Sequence, residues 1–470
     1  MEDGDFGLLV SHAEDSQWED VIRMAVAHAR PRERAEILRG LIARGDGIED
    51  RRARLRVHLL AMACLEHATE LDPRVRDEVR ERAGAILPPR TREESKLLAE
   101  VGPLVLELLP GPEGLEEDEA REVVASAALI GSDAALEVMK RFLHHPSADA
   151  RHQLAWSWQE FDTDRYAQEI IQHLDADVTV TATSPSELRA LKTLGGRPRV
   201  SVSGPFTASE LLDALQPELI QSLAITENPE ITDLAFLREF PSLEWLSLWG
   251  CPAVESVAPL ADLHIRSLGI SGPPGTRLST PRGLHRLRHT RSLVLYATLP
   301  PEGLAALPTG APLNHLFLGQ PSGVEFTSVT RWPQLRTLQL DHIPDDFDER
   351  QWNALASLKE LERFAFGLGA EGGTLHLPPG LRLPQVRTLE IFNSTRRPGS
   401  DLSCLLSSAL PTFPGVRKLQ LQSTTDAPIG LSLLAALPDL QELRLSRLHP
   451  EPGHPLPPHI KLTRYPRPRT

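Results

Sequence analysis

One short pattern of apolar residues recurs ten times between residues 220 and 445, and it limits the possible folds more than any other feature of the chain. Its two fullest copies are the segments 220–228 and 243–251, in which apolar residues occupy the first, fourth and sixth positions. Asn228 and Cys251 occupy the ninth position. Eight shorter copies follow, and their central apolar residues are Leu268, Leu293, Leu316, Leu338, Phe364, Leu389, Leu419 and Leu443. One copy is too small to bury its own apolar edge, so the copies must stack.

Successive copies are separated by roughly 22 to 30 residues, which is close to the period of a leucine-rich repeat. Stacked repeats of this kind form a solenoid with a long parallel sheet on its inner, concave face. We therefore predict a leucine-rich-repeat horseshoe over residues 176–447. Its first part, 176–218, is predicted to hold two atypical capping repeats, because Val178–Val180 and Val200–Val202 alternate like strands. Residues 448–470 are predicted to form a Pro- and Arg-rich tail.

Residues 1–175 carry the spacing of amphipathic helices instead. Apolar residues lie three, four, seven and eight residues after Trp18, and this spacing places them on one face of a helix. The segment 55–71 is apolar on more than one face and is predicted to be a buried central helix. Short helix pairs of this type resemble HEAT-like packing. The predicted fold class is α plus α/β solenoid, with an N-terminal HEAT-like helical domain before the leucine-rich-repeat horseshoe.

The composition favours a folded protein that binds neither nucleic acid nor membranes. Of its 470 residues 41% are hydrophobic and 24% charged, and the net charge of −14 opposes the basic surface that a nucleic-acid binder needs. No apolar run approaches the roughly 20 residues of a membrane span, and the acidic N-terminus lacks the basic region of a signal peptide. The cysteines, Cys64, Cys251 and Cys404, are too scattered for a disulfide framework or a zinc site. These features predict a cytoplasmic location.

The chain contains no recognisable catalytic or cofactor motif. It has no Gly-x-x-x-x-Gly-Lys-Ser/Thr loop for nucleotide phosphates and no His-Glu-x-x-His zinc helix. The acidic segment 341–349 lacks the glycine and the spacing of a calcium loop. We predict that the chain is not an enzyme and that it carries no cofactor or metal.

The repeat frame also predicts which side chains point out from the concave face. The leucines point inward, and the residues before, between and after the last two leucines of each copy point outward. The side chains that we predict to bind a partner are Trp245, Trp249, Tyr296, His315, Phe317, Gln339, Asp341, Arg363, Glu390, Phe392, Lys418 and Arg444. The early members are aromatic, as binding hot spots often are, and the late members are charged. The alternative is that neighbouring loops cover Trp245 and Trp249.

Two segments of the first half, His12–Asp46 and Leu55–Pro73, resemble the helical region behind the ATPase of bacterial NACHT proteins. These are NLR-like signal-transduction (STAND) ATPases, and several of them end in leucine-rich repeats. In that family a P-loop ATPase oligomerises after a C-terminal sensor binds its trigger. The resemblance implies that this chain is the C-terminal part of such a protein without the NACHT ATPase domain, and no nucleotide-binding residue of the family has a counterpart here.

Two functions remain open from the sequence. The first is the sensor portion of an NLR-like defence or signalling protein, which binds a protein or peptide on the concave face. The alternative is a free-standing leucine-rich-repeat adaptor or regulator of a separately encoded ATPase. Under either hypothesis a P-loop ATPase is an expected partner, in cis or in trans.

Overall fold

The computed structural model of the protein describes residues 6–68, 70–272, 279–321, 323–344, 346–368, 375, 377–393, 402–451 and 456–464, without the side chains of 402–405 and 464. The chain divides into two compact units, Met1–Val200 and Ser201–Thr470. The division falls inside the segment 176–218, which we predict to hold the capping repeats.

The first unit is mainly helical. Its α-helices are α1 (Phe6–Ser11), α2 (Glu19–His28), α3 (Pro31–Asp46), α4 (Arg51–Cys64), α5 (Pro73–Gly84), α6 (Arg92–Val101), α7 (Glu117–Ile130), α8 (Asp133–Lys140), α9 (Ala148–Trp156), α10 (Thr163–Glu169) and α11 (Pro185–Thr193). Short 3-10 helices span Ser16–Trp18, Leu65–His67, Gly102–Val105, Ser157–Glu160 and Ile171–His173. Strand β1 (Val180–Ala182) precedes α11.

Helix α4 forms the core of this unit. It begins where the Asp50 carboxylate accepts a hydrogen bond from the backbone N–H of Ala53, at 2.8 Å. From Leu55 to Cys64 nearly every residue is buried, and α4 packs against α2, α3, α5 and α6. The predicted buried central helix over 55–71 is therefore confirmed for Leu55–Cys64, whereas the α-helix ends at Cys64 and a 3-10 helix, Leu65–His67, follows it.

The second unit is built on a parallel sheet. Its strands are β2 (Arg199–Ser203, which begins just before the division), β3 (Ser222–Thr226), β4 (Trp245–Trp249), β5 (Ser267–Ser271), β6 (Ser292–Thr298), β7 (His315–Gln320), β8 (Thr337–Leu340), β9 (Arg363–Leu368), β10 (Thr388–Asn393), β11 (Lys418–Ile429), β12 (Glu442–Pro450) and β13 (Lys461–Arg464). From β3 to β13 the strands follow one another in chain order. Each neighbouring pair among them is parallel.

Short helices lie in the connections between successive strands of this sheet. The α-helices are α12 (Ala208–Ala214), α13 (Glu349–Ala356) and α14 (Leu402–Ala409). The 3-10 helices are Ala235–Glu239, Ala258–Asp262, Leu284–Arg286, Gly303–Ala306, Phe326–Arg331, Leu410–Thr412 and Leu431–Ala436. Since a 3-10 turn needs fewer residues than an α-helix, it suits the shorter repeats.

The leucine frame sets the register of the sheet. The first buried residue of each strand lies beside its counterpart in the next strand, from Leu223 beside Leu246 to Leu419 beside Leu443. The frame residues between them are at most 2% exposed. The half-buried Leu462 of β13 continues this row beside Leu443. Strand register and leucine burial together identify a leucine-rich-repeat solenoid in this unit.

Asn228 links neighbouring turns of the solenoid behind the sheet. Its side-chain amide donates to the carbonyl of Phe206 at 2.8 Å. Its side-chain oxygen accepts from the backbone N–H groups of Glu230, at 2.9 Å, and Ile231, at 3.1 Å. The buried Cys251 stands at the same repeat position and contacts the Ile225 carbonyl at 3.4 Å. A polar side chain at this position therefore satisfies backbone groups that the turn would otherwise bury unpaired.

The end of the chain contains a further strand. Residues 448–470, which we predict as a tail, begin inside β12 and contain β13, and these two strands pair in parallel. In the described part of the chain no helix is long and apolar enough to cross a membrane.

Candidate functional site

The side chains predicted to bind a partner fall into three rows on the exposed face of the sheet. Each strand has two buried frame residues. The residue before the first of them belongs to what we call the first row, and the residue between them to the middle row. The residue after the second belongs to the last row. The first row holds Trp245, His315, Arg363 and Lys418; the middle row holds Phe317, Gln339, Glu390 and Arg444; the last row holds Trp249, Tyr296, Asp341 and Phe392. The frame thus places all of them on one face of the sheet, within a single unit.

The early strands expose three large aromatic side chains on this face. Trp245 is 54% exposed, Trp249 47% and Tyr296 39%. None of the described loops buries them, although a loop cover for the tryptophans is the alternative that the sequence leaves open. Large apolar groups held in water on a rigid sheet are characteristic of contact surfaces.

The last row alternates between bulky and small residues. Trp249, Tyr296 and Asp341 are exposed, while Ser271 and Gly319, which stand between them, are buried. The next two strands continue the alternation with the buried Gly367 and the half-buried Phe392. The small residues give the bulky side chains room to lean across the neighbouring strand.

This alternation joins the aromatic residues into one cluster. The rings of Trp249 and Tyr296 meet edge to face across Ser271, with centroids 6.3 Å apart. The Tyr296 and Phe317 ring centroids are 4.4 Å apart. A Cβ atom at Gly319 would lie 2.7 Å from Cδ1 of Tyr296, so only glycine accommodates the ring in this place. We call Trp249, Tyr296 and Phe317 the aromatic cluster.

Two of the predicted residues lie on this face but are buried by their neighbours. Phe317 is 4% exposed and lies against Tyr296. Glu390 is 5% exposed, and its Oε1 lies 2.5 Å from Nη2 of Arg363. Phe317 therefore packs beneath Tyr296, and Glu390 pairs with Arg363, so neither side chain is available for much direct contact with a partner.

The charged residues of the late strands are paired with one another. Besides the Arg363–Glu390 pair, Glu442 lies 2.6 Å from Nε of Arg444 and 3.5 Å from Nζ of Lys418. The hydrogen bond from Arg444 and the charge of Lys418 lower the pKa of Glu442. These contacts involve three cations and two anions, and they lie across strands for Arg363–Glu390 and Lys418–Glu442 but within β12 for Arg444–Glu442. Such surface pairs are weak anchors for a partner.

His315 lies between the aromatic and charged parts of the face. It is half-buried, and burial together with the nearby charge of Arg363 lowers its pKa below the ordinary value. The ring is therefore neutral near pH 7 and can both donate and accept a hydrogen bond.

A recess of about 260 Å³ opens beside the aromatic cluster. Its lining residues include the aromatic residues Tyr296, Phe317 and Phe392 and the acidic residue Asp341. The remaining lining residues are uncharged, namely Gln339, Leu340, Asn393, Gln422, Ser423 and Thr424. The sequence frame identifies five of these ten residues as partner-binding and misses the other five. Leu340 is a frame residue predicted to point inward, Gln422 holds a last-row position that the prediction left out, and Asn393, Ser423 and Thr424 lie past the last row.

Among the side chains that the structure describes, which exclude Cys404, there is neither a metal centre nor a reactive thiol. No group of three or more potential metal ligands occurs among them. Burial raises the pKa of Cys64 to about 12 and that of Cys251 to about 11, so both thiols stay protonated near neutral pH.

Comparisons with solved structures return leucine-rich-repeat proteins. A leucine-rich-repeat protein of Leptospira interrogans is 14% identical, with 64% of this chain and 91% of that chain covered and a TM-score of 0.32. The leucine-rich-repeat domain of APL1 is 13% identical, with 62% and 80% covered and a TM-score of 0.31. The mouse RP105/MD-1 complex is 12% identical, with 58% and 50% covered and a TM-score of 0.30. No protein-family model matches the chain, and no curated protein matches it. The repeat class of the second unit therefore rests on its own strand register and leucine frame.

Proposed function

We propose that this chain is a non-enzymatic recognition module that binds a protein or peptide on the exposed face of its sheet. The observation that carries the proposal is the set of exposed aromatic side chains on β4 and β6: Trp245, Trp249 and Tyr296. Trp and Tyr dominate binding hot spots because they bury much apolar area at a small cost in side-chain entropy. The paired charges of the late strands form the polar surroundings of this surface.

The wider context belongs to the same proposal. The resemblance of His12–Asp46 and Leu55–Pro73 to the helices of NACHT proteins supports the sensor portion of an NLR-like defence or signalling protein in the cytoplasm. On that view the first unit is a HEAT-like arm, and a P-loop ATPase acts with it in cis or in trans. The alternative is a free-standing adaptor or regulator of a separately encoded ATPase. An in-frame P-loop upstream of Met1 would favour the sensor, and a separate ATPase gene whose product binds this chain would favour the adaptor.

A displayed library of random 12-residue peptides, selected on the intact chain, tests the recognition function. We expect the selected peptides to lose on the order of 10-fold or more in affinity for Trp249→Ala, because truncation of a hot-spot aromatic costs about 2 kcal/mol. Trp245→Ala should also weaken them. Fluorescence anisotropy of labelled peptides gives the Kd values.

Trp156→Ala is the matched control. Trp156 is 58% exposed but lies in the first unit, at the end of α9. Its replacement should leave the Kd unchanged. Equal affinities of the parent chain, Trp245→Ala and Trp249→Ala would contradict the proposal, and so would binding of nucleotide by the chain alone, since no nucleotide site is part of it.

A further inference from the structure

The recess beside the aromatic cluster combines aromatic lining residues with a single acidic one. We propose that it holds one cationic side chain, lysine or arginine, of the protein or peptide that the exposed face binds. The proposal rests on the proposed function and names the residue type that the face selects. It depends on the size of the recess, the charge of its lining and the orientation imposed by its neighbours.

The size of the recess favours a single side chain. Its volume of about 260 Å³ lies below the roughly 300 to 1,000 Å³ of sites for small-molecule ligands. The recess lies next to the exposed Tyr296, on the same face as the tryptophans. A peptide held by those aromatic residues therefore places a neighbouring side chain within reach of the recess.

The lining of the recess favours a positive charge. Asp341 is the one residue among the ten lining residues that is charged at neutral pH, and its side chain is 62% exposed. Burial and, second to it, the charge of Asp341 raise the pKa of Tyr296, as expected for a carboxylate that lies near this ring. The aromatic residues Tyr296, Phe317 and Phe392 also line the recess. Aromatic faces attract ammonium and guanidinium groups, and a carboxylate adds a direct ion pair.

The charged groups around the recess limit where that cation lies. Arg363 is engaged by Glu390. Arg447 donates to the carbonyl of Thr424, at the β11 end of the recess. His342 lies 3.8 Å from Asp341 through its Nδ1. Because Arg447 repels a second cation at the β11 end, the ligand's charge lies toward Asp341 and the aromatic rings.

Paired changes in the peptide and the protein test this assignment. We expect the peptides selected on the parent chain to contain a Lys or Arg whose replacement by neutral norleucine or citrulline raises the Kd on the order of 10-fold or more. On the Asp341→Asn variant the same replacement should change the Kd by less than about 3-fold, because the partner charge is already absent. Asp346→Asn, a nearby exposed aspartate outside the recess, is the control and should behave as the parent.

The outcomes separate this inference from the proposed function. If a peptide depends on Trp249 but shows the same Lys or Arg effect on the parent and on Asp341→Asn, the recess assignment is wrong and the recognition function stands. Peptides that depend on Trp249 but contain no required Lys or Arg would likewise overturn the recess assignment alone. If no selected peptide depends on Trp249, both proposals fail. Thermal unfolding of Asp341→Asn verifies that the exposed substitution leaves the fold intact.

Discussion

At the scale of single residues, small side chains shape the exposed face as much as aromatic ones. Ser271 and Gly319 are buried in the last row, and each lies beside a bulky neighbour that uses the space. The backbone at Gly319 has no positive φ that would itself demand glycine. Its smallness is therefore required by Tyr296, whose ring and Cα both lie close to the position of a Cβ atom at residue 319.

Gly319→Ala tests this interpretation. The new Cβ would lie 2.7 Å from Cδ1 and 3.1 Å from Cα of Tyr296, so the ring and its strand must shift. We expect a loss of about 1–3 kcal/mol in the free energy of unfolding and weaker binding of peptides that depend on the aromatic cluster. Urea unfolding and peptide Kd values measure the two effects. Gly310→Ala is the control, because a Cβ there meets nothing within 4 Å.

Residue-scale information also marks the limit of the sequence prediction. The alternation of each strand places Phe317 and Glu390 on the exposed face, and the structure agrees. Their burial was not predictable, because it is caused by side chains of other strands, Tyr296 for the first and Arg363 for the second. Packing between strands depends on which side chains the register places side by side. The pattern of a single repeat does not contain this information.

At the scale of the element, each repeat is one strand, one turn and one short return segment. The turn after β3 depends on Asn228, which is fully buried and bonds three backbone groups. In the sequence, Asn228 is marked only by its place at the ninth position of its copy. The return segments were less predictable, since most are 3-10 turns too short to show a helical period.

Asn228→Ala should destabilise the second unit. The substitution leaves the buried N–H of Ile231 and the carbonyl of Phe206 without their partner. Each such group costs about 1–3 kcal/mol. The denaturation midpoint of the intact chain should therefore fall. Asn314→Ala serves as the comparison, because the described contacts of Asn314 run through its backbone. If the midpoint falls no further for Asn228→Ala than for Asn314→Ala, water replaces the hydrogen bonds of the Asn228 side chain.

At the scale of the whole molecule, the sheet ends on an edge that the described residues leave open. β13 pairs with β12 alone, whereas β8 has a neighbour on both sides. Edge strands carry unpaired backbone groups and open more readily than central strands. The period of the repeat predicts a parallel sheet of stacked strands. It does not predict β13, the last strand, because this strand lies beyond the ten copies of the leucine pattern.

Hydrogen–deuterium exchange of the intact chain should distinguish these strands. β13 and β8 are each four residues long, so their amides can be compared directly. We expect the β13 amides to exchange faster, because alternate N–H groups of an edge strand face outward without a partner. Equal protection of the two strands would mean that another segment or a second copy of the chain covers the edge.

The bulky members of the last row recur at every second strand, from Trp249 on β4 through Tyr296 on β6 and Asp341 beyond β8 to Phe392 on β10. With strands about 4.8 Å apart, these members repeat at roughly 9.6 Å. One heptad of an α-helix advances about 10.5 Å, whereas same-side residues of an extended chain are separated by about 6.7 Å. These spacings describe the backbone, however, and the rings of Trp249 and Tyr296 lean together until their centroids are 6.3 Å apart. An extended partner with same-side residues about 6.7 Å apart therefore matches the spacing of the rings better than a helix with anchors one heptad apart.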